Sequence, residues 1–337
     1  MSDSNDELMM ETMYWWGIPT LFRCEHNKDL AECDIALVGV PHSTGNGTTE
    51  RDQHLGPRAV RHVSAGLRRV HLDFNINPWK KKKIFDLGDV ALPHANNNEK
   101  CIEDITSFYS KISRANKPVV SIGGDHSITG GILQGLGSNN LEMTKGKKIS
   151  FLHIDAHTDT FSQLDHFMGA KKSAAHWGAY LVDQGIINPH NSMQIGMRGN
   201  PRTLDWLQPS YDLGYNVVTM EEFKKRGIKE VINETLEKIG DNPVYITFDL
   251  DSLDASVAPA VSNIEPSFTG FTIDEAKALI QSVKNKNVIG GDVVCLMPTK
   301  DQKNNITSMV AASIMFEIIS VIAVSYTHLT LPTILLV

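Results

Sequence analysis

The chain has 337 residues, 41% of them hydrophobic and 21% charged, with 25 glycines and 14 prolines. This is ordinary globular composition, and it excludes collagen-like, low-complexity and disordered chains. With 32 basic against 39 acidic residues, the formal charge of -7 speaks against a nucleic-acid binder and for a small substrate.

Polar, acidic residues open the chain, without the basic start and apolar run of a signal peptide. Residues 1–30 read as an N-terminal extension in which Tyr14, Trp15 and Trp16 predict packing or a subunit contact. Residues 31–325 read as a single domain. Its short β-branched runs, apolar on both faces, predict buried strands at 35–40, 83–85, 119–122, 149–154, 193–195, 217–219, 244–248 and 288–295. The four lysines Lys80 to Lys83 just before the second run predict a solvated turn. Amphipathic segments lie between the runs: Ile228, Val231, Ile232, Leu236 and Ile239 share one helical face, and Thr272 with Glu275 forms a capping box. Alternating strands and helices predict an α/β fold with a mostly parallel sheet. Residues 309–323, interrupted by Ser313, Glu317 and Ser320, predict a core helix short of the ~20 residues of a membrane span. Residues 326–337 show no periodicity linking them to that helix and are set apart as a foreign tail. Cys24, Cys33, Cys101 and Cys295 form no CxxC pair, so neither a disulfide framework nor a thiolate zinc site is expected, and a cytoplasmic location fits.

Three strands end in acidic or histidine clusters: Gly123-Gly124-Asp125-His126-Ser127, Asp155-Ala156-His157-Thr158-Asp159 and Asp249-Leu250-Asp251-Ser252-Leu253-Asp254. In an open parallel sheet, ligand sites form beyond the carboxyl ends of the strands, so the clusters should converge. Four carboxylates brought together without a cation would repel at a cost of several kcal/mol. Two divalent ions balance Asp155, Asp159, Asp249 and Asp251, while His126 and His157 supply neutral nitrogen donors. Mixed carboxylate and imidazole donors suit Mn, Fe, Co, Ni or Zn rather than Ca or Mg. A pair of such ions ~3.5–4 Å apart acidifies a shared water, which implies hydrolysis.

The motifs GGDHS, DAHTD and FDLDSLD, in this order and with these gaps, resemble the arginase and agmatinase (ureohydrolase) family. GIPT from Gly17, LGPRAVR from Leu55, DLGDV from Asp86 and QIGMRG from Gln194 support the resemblance, which spans roughly Trp16 to Ala323. It implies a three-layer αβα sandwich with an eight-stranded sheet, assembled as a homotrimer or homohexamer. It further implies that His126 binds one metal and His157 the other, that Asp155 and Asp249 bridge, and that Asp159 and Asp251 complete the two shells. His176 resembles the family histidine that carries a proton, as hydrolysis requires for the departing nitrogen. His42, His54 and His153 are expected to be structural.

Departures from the family pattern bear on substrate. The family glutamate of D-x-x-E-x-x-P, which contacts the substrate guanidinium, is replaced by Cys295 in Asp292 to Pro298. Trp177 follows His176 where glycine is commoner, and is expected to crowd the pocket mouth. Glu265 in NIEPS is a candidate compensating acid. The loop PHSTGNGTTERDQ from Pro41 resembles the subgroup that hydrolyses free guanidine and uses nickel. The expectation is a hydrolase with two divalent ions, Ni(II) or Mn(II), that converts guanidine or a small methylated guanidine to urea and ammonia or an amine. An agmatinase or guanidino-acid hydrolase is the alternative; a non-catalytic partner subunit and a one-metal deacetylase-like enzyme are disfavoured by the intact six-ligand set. No nucleic-acid or membrane partner is expected.

Overall fold

The computed structural model describes residues 13, 15–47, 51–137, 142–164, 169–265 and 269–329, with side chains to 325. Eight strands form one sheet: β1 (Ile35–Val40), β2 (Ile84–Asp89), β3 (Val119–Gly123), β4 (Ser150–Ile154), β5 (Met193–Met197), β6 (Asn216–Thr219), β7 (Val244–Asp249) and β8 (Val288–Val294). Their order is β2-β1-β3-β8-β7-β4-β5-β6, and every pairing is parallel. All eight expected strands are present, and the second runs four residues past its expected end.

Strand alternation divides the core between the two faces. Ile35 and Leu37 of β1 belong to one apolar cluster, together with Val60, Phe223, Leu279 and Ile318 from the helices Gly56–Ser64, Met220–Arg226, Ile273–Ser282 and Ile306–Leu329. Ala36, Val38 and Val40 belong to the other, with Ile105, Ile132 and Leu181 from Asn98–Arg114, Ser127–Gly137 and Trp177–Asp183. The layering is therefore helix, sheet, helix, as the alternation in sequence implies. The capping box of Thr272 and Glu275 forms, with each side chain accepting from the other residue's backbone N–H.

Residues 306–325 make the one helix, among those described, that is long and apolar enough to cross a bilayer. Its length corrects the expectation of too short a segment; its place in the fold is nevertheless the core, because most of it is buried inside the molecule. The helix continues to Leu329, four residues into the segment set apart as a tail; residues 330–337 lie outside the described residues, as does Tyr14. Trp15 and Trp16 are exposed.

Two of the supporting motifs meet away from the strand ends that carry the clusters. Arg61 donates to both oxygens of Asp86, at 2.8 and 2.9 Å, and Asp86 also accepts the backbone N–H of Leu21 at 2.9 Å. Burial opposes ionisation of Asp86, but the Arg61 guanidinium outweighs it and holds the carboxyl below its ordinary range. This buried pair ties Leu21 and Phe22 into the core, so residues after Thr20 are part of the domain rather than an appendage.

Candidate metal centre and active site

β3, β8, β7 and β4 are consecutive neighbours in the sheet, and being parallel they deliver their carboxyl ends to one edge. His126 follows β3, residues 155–159 follow β4, Asp249 closes β7, and Cys295 follows β8. Local hydrogen bonds shape each turn. Asp155 accepts the N–H of His157 at 2.7 Å, and Asp249 accepts that of Asp251 at 2.9 Å. Asp125 is not part of the cluster: it accepts the N–H groups of Ser127 and Gly45 at 2.9 and 2.8 Å, anchoring the loop after β1. Gly124 must lack a side chain there, since a Cβ would collide with the carbonyl of His42.

All six expected ligands converge. His126 Nδ1 lies 2.9 Å from Asp155 Oδ2, 2.9 Å from Asp159 Oδ2 and 3.3 Å from Asp249 Oδ2. His157 Nδ1 lies 3.4 Å from Asp155 Oδ1 and 3.3 Å from Asp251 Oδ2. Asp155 thus turns one oxygen to each histidine, as a bridging carboxylate must.

The hydrogen-bond network decides whether a cation fits. Asp292, fully buried on β8, accepts from Thr129 at 2.8 Å, Tyr245 at 2.9 Å and Thr247 at 2.6 Å. Thr247 therefore spends its proton on Asp292 and must accept the Nε2–H of His126, 2.9 Å away. That tautomer aims the bare Nδ1 lone pair at three carboxylates, and buried Nδ1 has no hydrogen-bond partner. Such an arrangement is repulsive unless a positive charge sits between the donors, and a divalent ion meets the need. Burial alone would push His126 down, but Asp155, Asp159 and Asp249 outweigh it and hold its imidazole well above the ordinary value. Proton and metal compete for the same lone pair. Asp251 is pushed well up, by burial first and then by the charge of Asp249.

Further residues reach the centre as partners of the expected ligands. His153 Nε2 donates to Asp155 Oδ2 at 2.7 Å, because its Nδ1 accepts from Gln194 at 3.1 Å. Glu265 Oε1 lies 2.7 Å from His157 Nε2, so this acid reaches the site as a partner of a ligand. Arg198 donates to the carbonyls of Asp251, Ser252 and Leu253, fixing the turn after β7. The alternation of β4 signals His153, which shares a face with Asp155. Glu265 of NIEPS and Arg198 of QIGMRG stand out as motif residues, but neither pattern tells which group the side chain meets.

The cluster opens into a cavity of about 730 Å³, whose wall includes Asp249, Asp251, Glu265, Cys295, Arg202 and Ala175. Cys295 is buried beside Asp249, with backbone φ of 69°. Burial, then the charges of Asp249 and Asp251, pushes its thiol well up. Trp177 corrects the expectation of an indole at the mouth. It is fully buried and does not line the cavity; its ring packs on His126 and His153, and Nε1 donates to Asp159 Oδ2 at 3.0 Å. His176 is also buried, with Nδ1 at 2.6 Å from Ser173 Oγ, and the wall beside it is formed by Ala174 and Ala175. His42 and His54 bond to Asn98 and Ser43, apart from the cluster.

A family model described as "Arginase family" matches residues 33–320. Guanidinopropionase of Pseudomonas aeruginosa is 30% identical over 311 residues, covering 92% of this chain and 93% of that protein. The mitochondrial guanidino acid hydrolase of Homo sapiens is 31% identical over 303 residues, covering 90% and 82%. Among solved structures, proclavaminate amidino hydrolase from Streptomyces clavuligerus matches with a TM-score of 0.82 at 28% identity, covering 93% of this chain and 99% of that one.

Proposed function

The chain belongs to the arginase family and is a hydrolase of guanidino compounds with a binuclear divalent metal centre, and from that premise we propose that it converts guanidine or a small methylated guanidine to urea and ammonia or an amine. The observation that carries the substrate reading is Cys295, a neutral thiol on the cavity wall beside Asp249 where the family resemblance implies a glutamate. An ionised acceptor there would give a charge-assisted hydrogen bond worth ~1.5–3 kcal/mol to an alkylguanidinium held in one orientation. A compact guanidinium can turn to use other acceptors and loses less.

When bound, the two ions supply an acidified water as nucleophile and balance the four carboxylates; we propose Ni(II) or Mn(II). The protein's own groups do the rest. Glu265 and the turn fixed by Arg198 keep His157 and Asp251 in place. The departing nitrogen needs a proton, for which we propose His176. Ala174 and Ala175 form the wall beside it, so donation from His176 requires the 173–176 turn to shift.

A second reading, a guanidino acid, is favoured by Arg202 on the cavity wall, a partner for a carboxylate tail. Urea release from guanidine, methylguanidines, agmatine, guanidinopropionate and guanidinobutyrate, after loading with Ni(II) or Mn(II), separates the readings. Guanidine or a methylguanidine is expected to show the highest kcat/KM, and Cys295→Glu to lower it or shift the preference. Agmatine or a guanidino acid leading in the unaltered protein would overturn the assignment. We also propose a homotrimer or homohexamer, supported by exposed Trp15, Trp16 and Ile18 and checked by sedimentation.

A further inference from the structure

The residue next to His176 makes contacts that place it among the metal ligands rather than at the substrate. Trp177 Nε1 donates to Asp159 Oδ2 at 3.0 Å, the same oxygen that lies 2.9 Å from His126 Nδ1. Its indole centroid is 5.1 Å from that of His126 and 5.0 Å from that of His153, which in turn holds Asp155. All of these contacts fall on the His126 half of the cluster.

Asp159 needs holding. Its φ of 51° is in the left-handed region, which a non-glycine residue keeps only if its surroundings enforce it. Two consecutive residues at the start of the helix Trp177–Asp183 do so. Trp177 takes the side chain, and the N–H of Gly178 donates to the Asp159 carbonyl at 2.9 Å. Gly178 permits the approach, since a Cβ there would lie 2.9 Å from that carbonyl oxygen. Tyr215 donates to the carbonyl of Gly178 at 2.7 Å and secures the helix start from the other side.

We propose that Trp177 is a positioning residue for the metal position built on His126 and Asp159. The indole N–H fixes the rotamer of the Asp159 carboxylate, and so sets the affinity of that position alone. Removing the N–H frees the carboxylate to turn away while the ring still fills its place. The His157–Asp251 position, which the indole does not touch, keeps its affinity. This rests on the binuclear reading but not on the choice of substrate.

The test compares Mn(II) uptake by chelator-stripped wild type and Trp177→Phe, using calorimetric titration and electron paramagnetic resonance. The wild type should take up two ions and show the spectrum of a coupled pair. Trp177→Phe should bind one ion as before and the other ~10–100-fold more weakly, as loss of a partner of a ligand commonly does. At stoichiometric metal it should show the six-line spectrum of an isolated ion. Both ions bound at wild-type affinity, or both weakened equally, would overturn the proposal. Fewer than two ions in the wild type would overturn the binuclear reading and this inference with it. If the Phe variant does not fold, benzothienylalanine at position 177 keeps the ring shape, replaces N–H by sulfur, and is read in the same way.

Discussion

Glu265 Oε1 and His157 Nε2 are 2.7 Å apart, so one residue from a loop far along the chain fixes which nitrogen of a ligand faces the cluster. A carboxylate that accepts Nε2–H leaves the Nδ1 lone pair for a metal. Glu265→Gln keeps an accepting oxygen and should hold both ions nearly as well as the wild type. Glu265→Ala should weaken one ion ~10–100-fold, measured by competition with a chromophoric chelator.

Asp155 turns one oxygen to each histidine, and the family resemblance implies that Asp249 bridges as well. Asp155→Asn or Asp249→Asn should therefore lower metal content as well as abolish urea release. Elemental analysis of the purified variants decides this, and two ions per chain with normal turnover would contradict a bridging role.

His176→Ala should keep two ions and slow kcat by ~100-fold or more, the ordinary loss of a general acid. Metal content and steady-state kinetics are measured on the same preparation. A rate within a few-fold of wild type would assign proton donation to another group.

Stability should depend on pH with opposite sign in the two metal states. In the metal-free protein burial lowers His126 and His157, but the facing carboxylates outweigh it and raise both well above their ordinary value. Raised folded-state values contribute stability that is present below the unfolded value of ~6.5 and lost as pH rises through the folded values. Metal binding instead needs both imidazoles deprotonated, so affinity falls as pH falls. Melting temperatures of the stripped protein should decline as pH rises from ~6.5, whereas the metal-stabilised increment grows. Parallel curves in the two states would contradict the competition of proton and metal at His126 and His157.

The six residues that converge at the candidate metal centre are legible in the sequence because each cluster is local: a strand end, then carboxylates and histidines within a few residues of it. Strand positions are legible for a similar reason, since a buried parallel strand is apolar on both faces. What escapes is whatever depends on strand order. Asp292 reaches Thr247 and Thr129 only because β8 is inserted between β3 and β7, and nothing in Asp292 to Pro298 announces that neighbour. Trp177 reads as a bulky residue after a functional histidine; its burial against His126 and His153 follows from packing over β4 that periodicity does not report. The helix beginning at Ile306 outruns its apolar stretch because Thr307 and Ser308 are held at its start by Asp301, a local cap that hydropathy does not register.

The position of β8 also has a consequence for biosynthesis. It is the last strand made, yet it lies between β3 and β7, so before residue 288 leaves the ribosome the nascent sheet exists only as two separate ribbons, β2-β1-β3 and β7-β4-β5-β6. His126 stands on one ribbon, and its carboxylate partners Asp155, Asp159 and Asp249 on the other. A complete metal cluster therefore requires β8 to join the two ribbons, and a chain stopped short of β8 exposes two unpaired central edges, the kind of edge that invites association with other chains.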